Sequence, residues 1–127
     1  MINNIILASK SGVRKEILMK HGISCEVIPS NVDEDQIKES LLKESATPEI
    51  ISKNLAELKA NKVSSKKPNH IVIGADSVID LNGKEHQLIS SVCISKNGSM
   101  IWNFTDAAKL TMKKLNLDEI KSYLKKN

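Results

Sequence analysis

The stretch I-I-L-A-S-K-S-G-V-R-K-E-I-L, residues 5–18, decides the fold because its character changes twice within fourteen positions. An apolar run typical of a buried strand gives way to small hydroxyl side chains and positive charge, and an amphipathic stretch follows. We predict a strand over 2–8 and a helix over 12–21. In α/β domains ligands bind beyond the C-terminal ends of strands, where helix N-termini present free N–H groups that attract anions.

The residues between this strand and this helix are suited to holding an anion. Ser9 and Ser11 supply hydroxyl donors, and Gly12 lets the backbone approach a ligand closely. Arg14 is the sole arginine of the chain, and its planar guanidinium can grip phosphate oxygens in two places, as lysine cannot. The alternative is simple capping of the helix by Ser11 with Arg14 on the surface. The pattern GxxxxGK[ST] is absent, so this is not a Walker loop.

The rest of the chain alternates strands and helices and then forms a hairpin. Thr47 and Pro48 are a capping residue and a first helical residue, and Asn97-Gly98 is typical of a hairpin turn. Gly22 is expected to end the first helix. Further strands are predicted over 23–29, 70–80, 86–95 and 99–106, and further helices over 35–44, from Pro48, and from Asn116. This order predicts an α/β fold with a mixed sheet flanked by helices.

Two helices are expected to bury an apolar stripe. In the first helix the stripe is Val13, Ile17 and Leu18, and in the helix after Pro48 it is Ile51, Leu55 and Leu58. These spacings place each set on one helix face.

Composition limits the class of protein. The 127 residues suit one domain, 1–127, with an aliphatic core because aromatic residues make up only 2% of the chain. The net charge of +4 is spread along the sequence. A nucleic-acid-binding module would cluster its basic residues and offer aromatic platforms, so we expect no nucleic acid partner.

The cysteines and the apolar runs indicate a compartment. Cys25 and Cys93 are isolated, which suits free thiols in a reducing cytosol. We find no signal peptide at the start of the sequence and no apolar run of the roughly eighteen residues that a membrane span needs. We therefore expect a cytoplasmic protein with no membrane partner.

A carboxylate interrupts the most apolar predicted strand, H-I-V-I-G-A-D-S-V-I-D, residues 70–80. An ionised Asp76 at a buried position is costly unless it is paired or metal-bound, and Gly74 and Ala75 leave room beside it. We take it as a functional carboxylate; the alternatives are an aspartate at a solvated strand end and one that caps a turn. The acidic turn 33–35 could supply oxygen ligands to Mg²⁺ or Mn²⁺, although a solvated turn is the simpler interpretation.

These stretches together resemble the Maf family, whose members are nucleoside triphosphate pyrophosphatases related in fold to the inosine triphosphate pyrophosphatases. The motifs that carry the resemblance are S-x-S-x-x-R at 9–14, L-A-E-L-K-A at 55–60 and G-A-D-S-V at 74–78. It is strong over residues 5–84 and looser over 86–124. The resemblance implies a Maf-like fold and hydrolysis of non-standard or pyrimidine nucleoside triphosphates to the monophosphate and pyrophosphate.

The resemblance also implies roles for single residues. Phosphate oxygens would be bound by the loop residues Ser9, Ser11, Arg14 and Lys15 and by Lys59. Asp76 would activate water, and Glu34 with Asp76 would bind the divalent cation, Mg²⁺ or Mn²⁺.

The sequence departs from the family pattern at Lys84-Glu85, where strands that the family separates by a loop and a helix follow one another directly. Near Tyr123 it stops before the family's C-terminal portion. We therefore expect a truncated Maf-like fold. If a covering helix is missing, the apolar surface that it leaves exposed favours a homodimer. A catalytically inactive, nucleotide-binding remnant of the family is the alternative to an enzyme.

Overall fold

The structure is a computed structural model that describes residues 5–9, 12–80 and 86–110. It confirms the predicted α/β fold. In chain order the elements are β1 (Ile5–Leu7), α1 (Gly12–Lys20), β2 (Cys25–Val27), α2 (Glu34–Lys43), α3 (Pro48–Lys66), β3 (Ile71–Asp80), β4 (His86–Lys96) and β5 (Ser99–Leu110). The junction at Lys84-Glu85 and the helix predicted from Asn116 lie outside the described residues.

The five strands form one mixed sheet in the order β2-β1-β3-β4-β5. β1 runs parallel to both β2 and β3, whereas β3, β4 and β5 are antiparallel. After β1 the chain first adds β2 along one edge of that strand and later adds β3 along its other edge. The end of β1 is therefore a topological switch point, the place where open α/β sheets bind ligands.

Local signals in the sequence set most element boundaries. The Thr47 hydroxyl caps α3 by accepting a hydrogen bond from the Ile50 amide at 3.3 Å, as predicted. Gly22 follows the end of α1 with a φ of 77°, and Asn97 and Gly98 have φ values of 53° and 85°. Positive φ at both turn residues matches the right-handed twist of a two-residue hairpin. The hairpin prediction is therefore confirmed, although β5 extends past residue 106.

The core lies between α3 and the sheet. Ala56, Ala60 and Val63 of α3 pack against Val72 of β3 and Cys93 of β4, and all five are buried. None of the helices in the described part of the chain is long and apolar enough to cross a membrane.

The predicted apolar stripes are partly wrong. In α3, Ile51 and Leu55 are buried but Leu58 is 42% exposed. The helix is rotated so that Ala56 and Ala60 face the sheet, because a close approach to Gly74 of β3 requires small side chains there. The same rotation turns Lys59 inward. In α1, Ile17 is 48% exposed, since the three-residue strands β1 and β2 offer that helix little surface for packing.

Candidate functional site

The site lies where β1 ends and β3 continues. The last residue of β1, Leu7, pairs with Ile73, and the Ala8 amide donates to the Ile73 carbonyl at 2.8 Å. Backbone groups two residues apart on a strand point to the same side. The Ala75 carbonyl therefore points to the edge of β3 that β1 leaves open.

Two cationic side chains from different helices converge on that carbonyl oxygen. Arg14 of α1 donates from Nη1 to the Ala75 oxygen at 3.3 Å and to the Ser9 hydroxyl at 3.3 Å. Lys59 of α3 donates from Nζ to the same Ala75 oxygen at 3.2 Å. The backbone of β3 thus holds a guanidinium and an ammonium side by side at the end of β1.

Lys59 also lies between two carboxylates. Its ammonium is 3.1 Å from Asp76 Oδ1 and forms a second ion pair with Glu34 Oε1. Lys59 is 8% exposed and Asp76 6%, whereas the Glu34 side chain is 41% exposed. These contacts offset the cost of burying the two charges, since a buried ammonium is stable only with hydrogen-bonded partners.

Asp76 is the residue of this site that is best suited to acid–base chemistry. Burial raises the pKa of this carboxyl above its ordinary value, and the nearby Lys59 ammonium opposes that rise. Its second oxygen, Oδ2, is buried and has no hydrogen-bond partner among the described residues. A buried carboxylate oxygen without a partner, with a raised affinity for protons, is suited to accept a proton from a bound water.

The structure brings five of the predicted site residues together. These are Ser9, Arg14, Glu34, Lys59 and Asp76. Ser11 lies outside the described residues. Lys15 follows Arg14 on α1, and its side chain makes no hydrogen bond or ion pair within the described part of the chain, so its predicted role with phosphate remains a prediction.

Sequence reasoning did not foresee the contact of Lys59 with both carboxylates. It also missed Ser52, whose hydroxyl is 3.2 Å from the Asp76 carbonyl oxygen. A signal was present, because Ser52 precedes Lys59 by two helical turns and shares its face of α3. Cys93 fits no catalytic role here: burial raises the pKa of its thiol to about 11, which keeps it protonated at neutral pH.

The donor set is compatible with a divalent cation that arrives with a substrate. Within the described ranges, no three His, Cys, Asp or Glu side chains are grouped so that they could hold a metal ion. The carboxylates of Glu34 and Asp76 both form ion pairs with the Lys59 ammonium, and Asp76 Oδ2 has no hydrogen-bond partner among the described residues. Mg²⁺ is commonly held by one or two carboxylates, with substrate phosphates and water as the remaining ligands.

Comparisons with known proteins agree with the sequence motifs. The sequence model described as Maf-like protein matches residues 4–82. A protein of Pelagibacter ubique is 60% identical over 147 residues, covering 99% of this chain and 75% of that protein. Proteins of Granulibacter bethesdensis and Caulobacter vibrioides are 33% and 37% identical, covering 94% and 86% of this chain and 72% and 65% of their own lengths. All three bear the name nucleoside triphosphate pyrophosphatase.

The alignment with the Pelagibacter protein also bears on length. It spans 147 positions, more than the 127 residues of this chain. Part of the relative's sequence therefore has no counterpart here, as expected for a shortened form of the fold. The family match covers both the loop around Arg14 and the strand that carries Asp76, and this chain belongs to the Maf-like protein family.

Proposed function

We propose that this chain is a nucleoside triphosphate pyrophosphatase, which hydrolyses non-standard or pyrimidine nucleoside triphosphates to the monophosphate and pyrophosphate. The observation that carries the proposal is the convergence of Arg14, Lys59 and Asp76 around the Ala75 carbonyl at the end of β1. The names of the relatives support the same activity. Two cations beside a carboxylate at a switch point can bind a polyphosphate and direct water to it.

Triphosphate binding is assigned to the loop and to the two cations. The Arg14 guanidinium has five N–H donors, and its contacts with Ser9 and Ala75 hold it beside the start of α1. Ser11 and Lys15 are proposed to add further contacts with phosphate oxygens. The positive end of the α1 dipole favours the same anion.

Lys59 must exchange a partner when it binds phosphate. An ammonium has three hydrogens, and here they meet Asp76, Glu34 and the Ala75 carbonyl. The Glu34 side chain is the most exposed of these partners, so it is the cheapest for a phosphate oxygen to replace. Substrate binding is therefore expected to release Glu34 from the ion pair.

Hydrolysis needs no covalent intermediate. Asp76 Oδ2 accepts a proton from water as the water oxygen bonds to the α-phosphorus, and the bond from that phosphorus to the bridging oxygen breaks to release pyrophosphate. Arg14 and Lys59 stabilise negative charge on the phosphate oxygens. Mg²⁺ or Mn²⁺, held through Glu34 and Asp76, would neutralise further charge when bound.

A product screen tests the proposal. The purified protein is incubated with common, methylated and deaminated nucleoside triphosphates and either Mg²⁺ or Mn²⁺, and pyrophosphate, orthophosphate and monophosphate are measured. We expect pyrophosphate and monophosphate in equal amounts, and release of both that is roughly 10²–10⁴-fold slower from an identically purified Asp76→Asn control. Nucleotide binding without pyrophosphate release would instead identify an inactive nucleotide-binding protein, and orthophosphate as the sole product would contradict the proposed cleavage.

A further inference from the structure

Polar side chains lie next to one another on β3, β4 and β5, beneath α3 and at the level of Asp76. Asp76 of β3 pairs with Ser91 of β4, and Ser91 pairs with Thr105 of β5. Ser52 of α3 completes the row from above. The Ser91 hydroxyl lies 2.7 Å from the Ser52 hydroxyl and 2.8 Å from the Thr105 hydroxyl, and the Ser52 hydroxyl lies 3.2 Å from the Asp76 carbonyl oxygen.

The end of this hydroxyl chain determines its direction. A hydroxyl has one hydrogen, and a carbonyl oxygen can only accept. The geometry makes Ser52 the donor to both the Asp76 carbonyl oxygen and the Ser91 hydroxyl, and its one hydrogen serves only one of them at a time. When it serves Asp76, the contact with Ser91 is kept if Ser91 turns its own hydrogen to Ser52 and accepts one from Thr105. The chain ends on the main-chain oxygen of Asp76 and not on its carboxylate, so it can fix position but cannot deliver a proton to Oδ2.

The hydroxyl chain is buried where apolar side chains would be expected. Ser52 is 0% exposed and Ser91 1%, and buried hydroxyls are tolerated only when they are hydrogen-bonded. The chain ties α3, β4 and β5 to the backbone of one residue of β3. That residue carries the unpartnered carboxylate oxygen of the site.

We propose that Ser52, supported by Ser91 and Thr105, is a positioning residue that fixes the Asp76 backbone and thereby the direction of its carboxylate. The inference rests on the proposed pyrophosphatase function. Ser52 touches no reacting atom in this account, and it acts only through Asp76. Loss of its hydroxyl should leave substrate binding intact, because Arg14 is held by Ser9 and Ala75.

A double-mutant cycle tests the dependence on Asp76. Ser52→Ala is made in the parent and in the Asp76→Asn background, and pyrophosphate release is measured as kcat and KM. We expect kcat to fall by about tenfold in the parent, the scale of one net hydrogen bond, with KM unchanged. In the Asp76→Asn background no further loss is expected. Equal losses in both backgrounds, or no loss in the parent, would overturn the proposal.

Two further variants separate positioning from general destabilisation. Ser95 is also buried on β4 and bonds to Asn61 Oδ1 of α3 at 2.5 Å, so Ser95→Ala is a matched control with no link to Asp76. It should leave kcat unchanged. Thr105→Val keeps the side-chain volume at the half-buried end of the hydroxyl chain and should lower kcat less than Ser52→Ala. A loss of kcat in Ser95→Ala equal to that in Ser52→Ala would contradict positioning.

A readout without turnover distinguishes failure of the positioning claim from failure of the proposed function. The ¹⁵N–¹H signal of the Lys59 ammonium reports its ion pair with Asp76. It should shift or broaden in Ser52→Ala and stay in place in Ser95→Ala, whether or not the parent releases pyrophosphate. An unchanged signal in Ser52→Ala would refute the positioning role, whereas a parent without pyrophosphate release would refute only the enzyme.

Discussion

The two halves of β3 show how one strand serves both packing and chemistry. In the first half, Val72 is fully buried and Gly74 lies against the backbone of α3. In the second half, beyond the end of β1, Ala75 offers its carbonyl to two cations and Asp76 holds a buried charge. The first half positions α3, and the second half uses that position to bring Lys59 to the carboxylate. Changes in the first half should therefore affect mainly stability, and changes a few residues further along the strand should affect mainly function.

The first half should be the more sensitive to added volume. A Cβ at Gly74 would overlap the Ala56 carbonyl oxygen and lie 2.9 Å from the Ala60 Cβ. Gly74→Val should cost about 3 kcal/mol or more of stability, because the obstacle is a helix backbone that cannot move alone. Circular dichroism during thermal unfolding measures this. Gly12→Ala is the control, since a Cβ there meets nothing within 4 Å, and a folded Gly74→Val with parental stability would show that α3 does not need this close approach.

The site at the second half should be sensitive to changes in the charged side chains that contact it, with the fold unaffected. Arg14→Lys keeps the charge but loses the planar fork, so we expect triphosphate affinity to fall by roughly 1–3 kcal/mol. Isothermal titration calorimetry measures the affinity, and circular dichroism checks that the fold is intact. Unchanged affinity would leave Arg14 with only a structural role at the end of β1.

The contribution of the buried Asp76 carboxyl to stability should decrease as pH rises. Because the pKa of Asp76 is raised in the folded state, its contribution to stability is complete below the ordinary aspartate pKa and is lost as pH rises through the folded-state value. Asp76→Asn cannot ionise, so the difference in free energy of unfolding between this variant and the parent should shift in favour of the variant between pH 3 and pH 7. Urea unfolding at pH 3 and pH 7 measures the difference, with the exposed Asp35→Asn as control. A variant that loses stability relative to the parent as pH rises would contradict this sign.

Much of the fold was predictable because its signals are local. Thr47-Pro48, Gly22 and Asn97-Gly98 act on the backbone within a few residues of themselves, so the elements that they delimit were predicted from the sequence. The exposure of Ile17 and Leu58 was not predictable. It depends on how close α3 approaches β3 and how short β1 and β2 are, and both are tertiary properties.

The candidate site likewise contains residues that could be predicted from their own segment and contacts that could not. Arg14 and Asp76 stood out because each is anomalous in its own segment, a single arginine and a carboxylate in an apolar strand. The bridge from Lys59 to Glu34, and the hydroxyl chain through Ser52, join segments far apart in sequence. No pattern within one segment specifies such contacts, although the shared helix face of Ser52 and Lys59 was visible in their spacing.

The central claim is that Asp76 in the second half of β3 accepts the proton from the attacking water. The most direct measurement is kcat for pyrophosphate release by the parent and by Asp76→Asn, with the best substrate from the product screen and with nucleotide affinity measured in parallel. We predict that kcat falls by roughly 10²–10⁴-fold, the usual contribution of a general base, while affinity is retained because Arg14 and Lys59 remain. Equal rates in the two proteins would contradict the account and place the active site elsewhere.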